Sequence, residues 1–123
     1  IKEVAYHLRR SGDLVVRLGD GSDESNRRMQ ASAERLWAYT GESFVDDEID
    51  RQAAADGVAP LPSSLHDAWL ADVKHVFAEA TLALPPVDAW MQSGGKQGRH
   101  TEHLGYLLAE MQFLQRAYPG AQW

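Results

Sequence analysis

Residues 63–80, with the sequence SSLHDAWLADVKHVFAEA, decide the fold class of this chain. Apolar side chains recur in it every three or four residues, which is the period of an α-helix with one buried face. That face comprises Leu65, Trp69, Val73, Val76, Phe77 and Ala80. Ser64 and Asp67 have the spacing of a capping box with Asp in place of Glu, and Pro85-Pro86 ends the segment. The pattern predicts a helix that packs against other helices.

The same periodicity occurs on the N-terminal side of this segment. Residues 1–18 predict a first helix, whose stripe comprises Ile1, Val4, Ala5, Leu8, Val15 and Leu18. Gly12 lies on this stripe, where the missing side chain would let another backbone approach. A second helix is expected from Ser22, as N-cap, to a stop at Gly41. Its stripe includes Trp37.

The remaining segments predict a connector and one more helix. Residues 42–62 read as a connector that contains a short helix over residues 47–55. The loop 93–99 leads into a helix over residues 101–117, whose core positions are Leu104, Leu107, Leu108, Met111 and Leu114. No strand-type alternation of useful length is present, so the prediction is an all-α helical bundle.

Composition excludes several function classes. The chain has 123 residues, 12 Lys and Arg against 18 Asp and Glu, and a net charge of −6. This balance argues against a nucleic-acid partner and against an anionic membrane surface. The chain has no cysteine, which excludes disulfides and thiolate metal sites and favours a cytoplasmic location. It also begins without Met and inside a helical pattern, which predicts the later part of a longer protein.

Candidate metal ligands are few. Helical di-metal proteins pair Glu with His three residues later, so that both side chains face one metal. No Glu in this chain has that partner. The nearest substitutes are Asp72 with His75 and Glu3 with His7, and both pairs are more simply read as surface or intrahelical contacts. The sequence therefore predicts no catalytic residue and no metal centre.

A glycine-rich loop and a helical carboxylate are the other polar candidates. Residues 94–103 could hold an anion such as a phosphate at a helix N-terminus, and the alternative is a flexible connector. The candidate contacts to an anion, coenzyme A or a partner protein are Lys96, Arg99, His100, Glu102 and His103. Glu110 lies among apolar core positions, which predicts a buried structural carboxylate with a partner on another helix.

Several segments resemble the PaaC subunits of ring-1,2-phenylacetyl-CoA epoxidases. They include EVAYHLRR at residues 3–10, RLGDG at 17–21, GGKQGRHTEHLG at 94–105 and LAEMQFLQR at 108–116. The terminal PGAQW at residues 119–123 is also similar, so the resemblance extends over essentially the whole chain.

The resemblance implies a fold, a role and partners. It implies the C-terminal part of a single ferritin-like, antiparallel helical domain over residues 1–123. It also implies a structural subunit of an oxygen- and NADPH-dependent monooxygenase complex that degrades phenylacetate. The di-iron cofactor would then belong to the catalytic partner PaaA, and this chain would hold no cofactor. The expected partners are PaaA, other subunits of the complex and the N-terminal half of the same protein.

Two other functions remain open from the residues. One is a metal-dependent oxygenase that uses Asp72, His75, Glu3 and His7. The other is a coenzyme A or nucleotide-binding module that uses Lys96 and Arg99. The leading hypothesis is a non-catalytic scaffold, because a broad apolar helical surface accompanies an incomplete set of metal ligands.

Overall fold

The structure, a computed structural model of the protein, describes residues 2–122. Within this range every regular element is helical, which confirms the predicted all-α class. The α-helices are α1 (Lys2–Gly19), α2 (Asp23–Trp37), α3 (Glu48–Ala55), α4 (His66–Glu79), α5 (His103–Met111) and α6 (Phe113–Ala117). Ile1, which the first stripe includes, and Trp123 lie outside the described residues.

The chain divides into two compact units. The first extends to Gln92 and contains α1 to α4, and the second begins at Ser93 and contains α5 and α6. In the first unit α1 packs against both α2 and α4. In the second unit α5 packs against α6.

The start of α2 follows its predicted cap, whereas its end does not. The Ser25 N–H donates to Ser22 Oγ at 3.2 Å, which makes Ser22 the N-cap. The helix ends at Trp37, before the predicted stop at Gly41. The residues that follow turn more tightly and form a 3₁₀ segment, Gly41–Phe44.

The short helix predicted inside the connector is confirmed as α3. Asp47 Oδ1 accepts the Asp50 N–H at 2.9 Å, and Asp50 Oδ2 accepts the Asp47 N–H at 3.0 Å. These reciprocal bonds are a capping box, and they satisfy backbone donors that the first turn would otherwise leave unpaired. Gly57, with φ of 69°, follows the helix in the left-handed conformation that glycine adopts without strain.

The predicted capping box of α4 is wrong. The Ser64 hydroxyl donates to the Leu61 carbonyl at 2.6 Å, and residues Pro62–Leu65 form a 3₁₀ turn before α4 begins at His66. Asp67 Oδ1 lies 3.1 Å from His66 Nδ1 instead of closing a cap. The helix therefore begins without a side-chain cap, because its candidate cap is already used by the preceding turn.

The last predicted helix is shorter and is interrupted. It begins at His103, not at residue 101, and α5 and α6 are separated at Gln112, whose φ is −101° and ψ is 1°. The Gln112 N–H still bonds to the Leu108 carbonyl at 2.9 Å, so the chain changes direction without losing the hydrogen bond.

The closest approach between helices in the first unit lies at Gly19 and Ala80. A Cβ atom at Gly19 would stand 2.3 Å from the Ala80 carbonyl oxygen and 2.8 Å from the Ala80 Cβ. Ala80 is 0% exposed. The sequence placed such an approach at Gly12, and that prediction is wrong. A Cβ at Gly12 would meet only the Val76 side chain, at an ordinary 3.6 Å.

Polar side chains of α2 hold the segment that follows α4 beside this contact. Asn26 Nδ2 donates to the Gly19 carbonyl at 2.7 Å and to Thr81 Oγ1 at 3.0 Å. Gln30 Oε1 accepts the Ala83 N–H at 2.9 Å, and Gln30 Nε2 donates back to the Ala83 carbonyl at 3.1 Å. Thr81 has a φ of 56°, a left-handed conformation that costs free energy for a β-branched residue and that these bonds hold in place.

A carboxylate ties the connector to the turn before α4. Asp46 accepts the Ser63 N–H at 2.9 Å and the Ser63 hydroxyl at 2.6 Å. The hydroxyl bond and then the backbone bond from Ser63 lower the pKa of Asp46, because both stabilise its charged form.

Gly19→Ala is expected to lower the free energy of unfolding by about 1–3 kcal/mol, because the new methyl group overpacks the contact with Ala80. Gly12→Ala is the matched control. It should leave stability unchanged or raise it by up to about 1 kcal/mol, through the better helix propensity of alanine. Denaturant unfolding of the protein that contains this chain measures both. Equal losses in the two variants would contradict the assigned contact.

Asp46→Asn is expected to destabilise the protein at neutral pH, with an effect that fades as the pH falls. The pKa of the native Asp46 carboxyl is depressed, so its stabilising contribution is present above the unfolded pKa. That contribution is lost as the pH falls below about 4 and through the native pKa. Unfolding at several pH values, with Ser63→Ala and the double variant, tests the pair. Strictly additive single effects would argue against a direct interaction.

Candidate interaction surface and aromatic cavity

The predicted metal candidates lie at the surface in local pairs. His7 Nε2 is 3.9 Å from Glu3 Oε1 one turn away on α1, and both side chains are exposed. His75 Nε2 lies 3.5 Å from Glu79 Oε1, so the ion-pair partner of His75 is Glu79 and not Asp72. Across residues 2–122 no three His, Asp or Glu side chains converge as a metal site would require. The structure therefore does not bring the four candidates together.

The glycine-rich loop satisfies much of its own backbone. Gly94 and Gly98 adopt left-handed conformations with φ of 99° and 85°. The N–H groups of Gln97 and Arg99 donate to the Gly94 carbonyl, at 3.1 and 2.8 Å, and the Gly98 N–H donates to Gly95 at 3.0 Å. A phosphate cradle needs such N–H groups to point outward. An anion at this loop would therefore depend on side chains, above all on Lys96 and Arg99, and that role stays a prediction.

The other candidates beside the loop are exposed. His100, Glu102 and His103 lie at the surface around the start of α5, and Glu102 forms no side-chain cap for that helix. Glu110 is also exposed, so its predicted burial is not found in this chain. The physical reason is that the apolar side chains around Glu110 are themselves uncovered.

Large apolar side chains are uncovered in both units. In the first unit the N-terminal half of α1 exposes Val4 at 69% and Leu8 at 67%, although the sequence predicts both as core positions. In the second unit the exposed apolar residues are Tyr106, Leu107, Met111, Phe113, Leu114 and Tyr118. We call this second set the α5–α6 face. A depression of about 540 Å³ lies along it, between Ala109 and Gln115.

The best-covered part of the first unit is an aromatic cluster. The Trp37 and Trp69 rings have centroids 5.6 Å apart, and Phe44 lies 4.9 Å from Trp69. His66 meets Phe44 edge-on at 5.1 Å and an interplanar angle of 84°. Trp37 also contacts Phe77 at 6.3 Å. Such pairs stabilise a fold beyond the area they bury.

A cavity of about 170 Å³ opens beside this cluster. Its apolar wall includes Trp37, Phe44, Trp69, Leu70, Leu84 and Met91. Polar side chains contribute at Thr40, His66 and Lys74. The segment after α4 closes one side, where Gly41 packs against Met91 and the Gln92 N–H donates to the Ala38 carbonyl at 2.7 Å.

Sequence reasoning places two members of this site correctly and misses the others. Trp37 and Trp69 are predicted on core stripes, and they do pack together. Phe44 is assigned to the connector, and His66 is given no partner. The aromatic character of Phe44 and the three-residue spacing of His66 and Trp69 are the available signals, but the contact itself depends on how the connector folds back.

Comparison with known proteins assigns the family. The family model described as Phenylacetic acid catabolic protein matches residues 1–123. The chain belongs to this family. It shares the family's helical, ferritin-like class of fold.

A curated relative narrows the comparison. The chain is 50% identical over 123 residues to the PaaC subunit of 1,2-phenylacetyl-CoA epoxidase from Escherichia coli (strain K12). The match covers 100% of this chain and 49% of the relative, so the chain spans about half of that protein's length. In residues 2–122 no helix combines the length and hydropathy needed to cross a bilayer.

Phe44→Leu is expected to cost about 1–2 kcal/mol of stability, because it removes the ring contacts to Trp69 and His66. Tyr39→Leu is the matched control in the same region, because the Tyr39 side chain is 55% exposed. It should change stability by no more than about 0.5 kcal/mol. Thermal unfolding and the near-ultraviolet circular dichroism of the tryptophans measure both variants. An unchanged spectrum in Phe44→Leu would contradict the cluster.

Proposed function

We propose that this chain forms part of a non-catalytic structural subunit of a phenylacetyl-CoA epoxidase. In this role its helices pack against the rest of the subunit and against a catalytic ferritin-like subunit that carries the di-iron centre. The family membership and the 50% identity to a subunit of such an epoxidase support the assignment to this kind of complex. The proposed location is the cytoplasm, with no membrane and no nucleic acid as partner.

The observation that carries the structural role is the large uncovered apolar surface. Among the described residues Ala80 and Leu82 are the buried hydrophobic side chains, and Leu82 is still 8% exposed. A folded domain normally covers many more of its large apolar side chains, and contiguous exposed ones mark interaction sites. The α1 residues Val4 and Leu8 and the α5–α6 face are therefore proposed as packing surfaces.

The composition of the α5–α6 face fits a protein interface. Tyr, Phe and Met are enriched in interface cores, and the face contains Tyr106, Met111, Phe113 and Tyr118. The depression between Ala109 and Gln115 gives this face a concave surface in which side chains of a partner helix can lie. Burial of such a face contributes roughly 25 cal/mol for each Å² of apolar area removed from water.

The local pairing of the metal candidates supports the non-catalytic part of the proposal. Glu3 pairs with His7 and Glu79 pairs with His75, each within one helix. A di-metal centre needs ligands from several helices around a common point. Epoxidation would therefore depend on residues of the partner subunit.

Met111→Lys is expected to weaken association with the catalytic subunit at least about tenfold, because an interface core does not tolerate an unpaired charge. Met111 is 73% exposed on α5, and Ile49→Lys, at a residue 78% exposed on α3, is the matched control. The measurement is size-exclusion chromatography and titration of the subunit that contains this chain with the catalytic subunit, and epoxidase activity with and without it.

Thermal unfolding of each variant subunit alone separates misfolding from a weaker interface. The proposal is wrong if no complex forms and activity is unchanged when the subunit is omitted. It is also wrong if the subunit alone contains stoichiometric iron that His75→Ala removes.

A further inference from the structure

The cavity beside Trp37 and Trp69 has the size of a single aromatic ring. Its volume of about 170 Å³ is close to that of apolar protein cavities that take up benzene, at about 150 Å³. The space is too small for a fused ring system with substituents and far too small for a coenzyme A thioester.

The wall of the cavity favours an aromatic occupant. Trp37, Phe44 and Trp69 contribute ring faces and edges, and their mutual tilts of 32° and 44° leave rings at different angles around the space. A further ring can meet one neighbour face to face and another edge to face, which are the preferred arrangements of aromatic pairs. A saturated ring of similar size would lose these contacts.

The charge at the cavity favours an anion. Among the described residues that line it, Lys74 is the charged side chain, and none is a carboxylate. His66 also lines the cavity, and its ring is oriented by Asp67 at 3.1 Å and by the edge contact with Phe44. Small-molecule sites commonly combine an apolar wall with a few polar groups that fix the orientation of the ligand.

The cavity is open to solvent on the side of Lys74. Val87 at its rim is 105% exposed, and Lys74 is also exposed, whereas Pro85 in the wall is buried. A ligand can therefore place its ring inside and keep a carboxylate at the mouth, where the Lys74 ammonium reaches it without full desolvation of either charge.

We propose that this cavity is a binding site for a free monocyclic aromatic carboxylate. The ring lies among Trp37, Phe44 and Trp69, and the carboxylate pairs with Lys74. The inference goes beyond the structural role proposed above, because a scaffold needs no small-molecule site. Burial of one ring and a single exposed ion pair set the expected dissociation constant in the range of about 0.1–1 mM.

Benzoate is the probe for the test, with the full-length protein that contains this chain. Ligand-observed NMR and calorimetry should show saturable binding. In ¹H–¹⁵N spectra the indole N–H signals of Trp37 and Trp69 should shift, and that of Trp90, which is 71% exposed, should not. Cyclohexanecarboxylate, which has a similar size and the same charge, should bind about fivefold more weakly because it lacks the ring contacts.

Lys74→Gln separates the charge from the ring. This exposed substitution should weaken benzoate binding about fivefold at low salt and leave toluene binding unchanged. Lys2→Gln, at an exposed lysine of α1, is the matched control and should change neither affinity.

Three results would overturn the proposal. One is no benzoate binding at 5 to 10 times the upper expected dissociation constant, about 5–10 mM. Another is binding that shifts Trp90 but neither Trp37 nor Trp69. The third is a crystal structure of the full-length protein in which a side chain from another segment fills the cavity. Each of these can occur while the subunit still assembles with its partner, so the structural role is tested separately.

Discussion

The close approach of Gly19 to Ala80 is the constraint on which the first unit depends. With less than 3 Å between the position of a Gly19 Cβ and two atoms of Ala80, the end of α1 and the end of α4 meet without intervening side chains. Asn26 and Thr81 then bond to each other and to the Gly19 carbonyl at the same point. Because three segments are fixed together there, the chain after Thr81 is directed back along α2.

That direction determines where the aromatic cavity forms. The segment from Leu82 onward runs beside α2 through the Gln30 bonds to Ala83, and it reaches the turn at Ala38 through Gln92. Met91 is thereby placed against Gly41, at the wall of the cavity. The cavity is thus a consequence of backbone packing and polar side-chain bonds at some distance from the rings that line it.

The helices could be predicted well from the sequence because their periodicity and caps are local. Ser22 and Asp47 cap as their types and spacing indicate, and Trp37 and Trp69 lie on the faces that their periodicity assigns. The contact at Gly19 could not be distinguished from one at Gly12, because both glycines are compatible with close packing and only the crossing point decides. Phe44 joins the cluster through the fold of the connector, which no local pattern encodes. Periodicity also shows which face of a helix is apolar, but not what covers it. Val4, Leu8 and Met111 follow the pattern of core residues and are nevertheless exposed, and the predicted burial of Glu110 failed for the same reason. A chain that spans about half the length of its relative presents as surface what the remaining half can cover.

The turn after α3 offers a practical consequence of a different kind. Gly57 has a φ of 69°, no atom lies within 4 Å of where its Cβ would be, and the capping box closes α3 at its other end. The peptide after it is held by neither the Gly19 contact nor the aromatic cluster. This turn is therefore a suitable attachment point for a fluorophore or an epitope tag that reports on assembly without disturbing either packing surface.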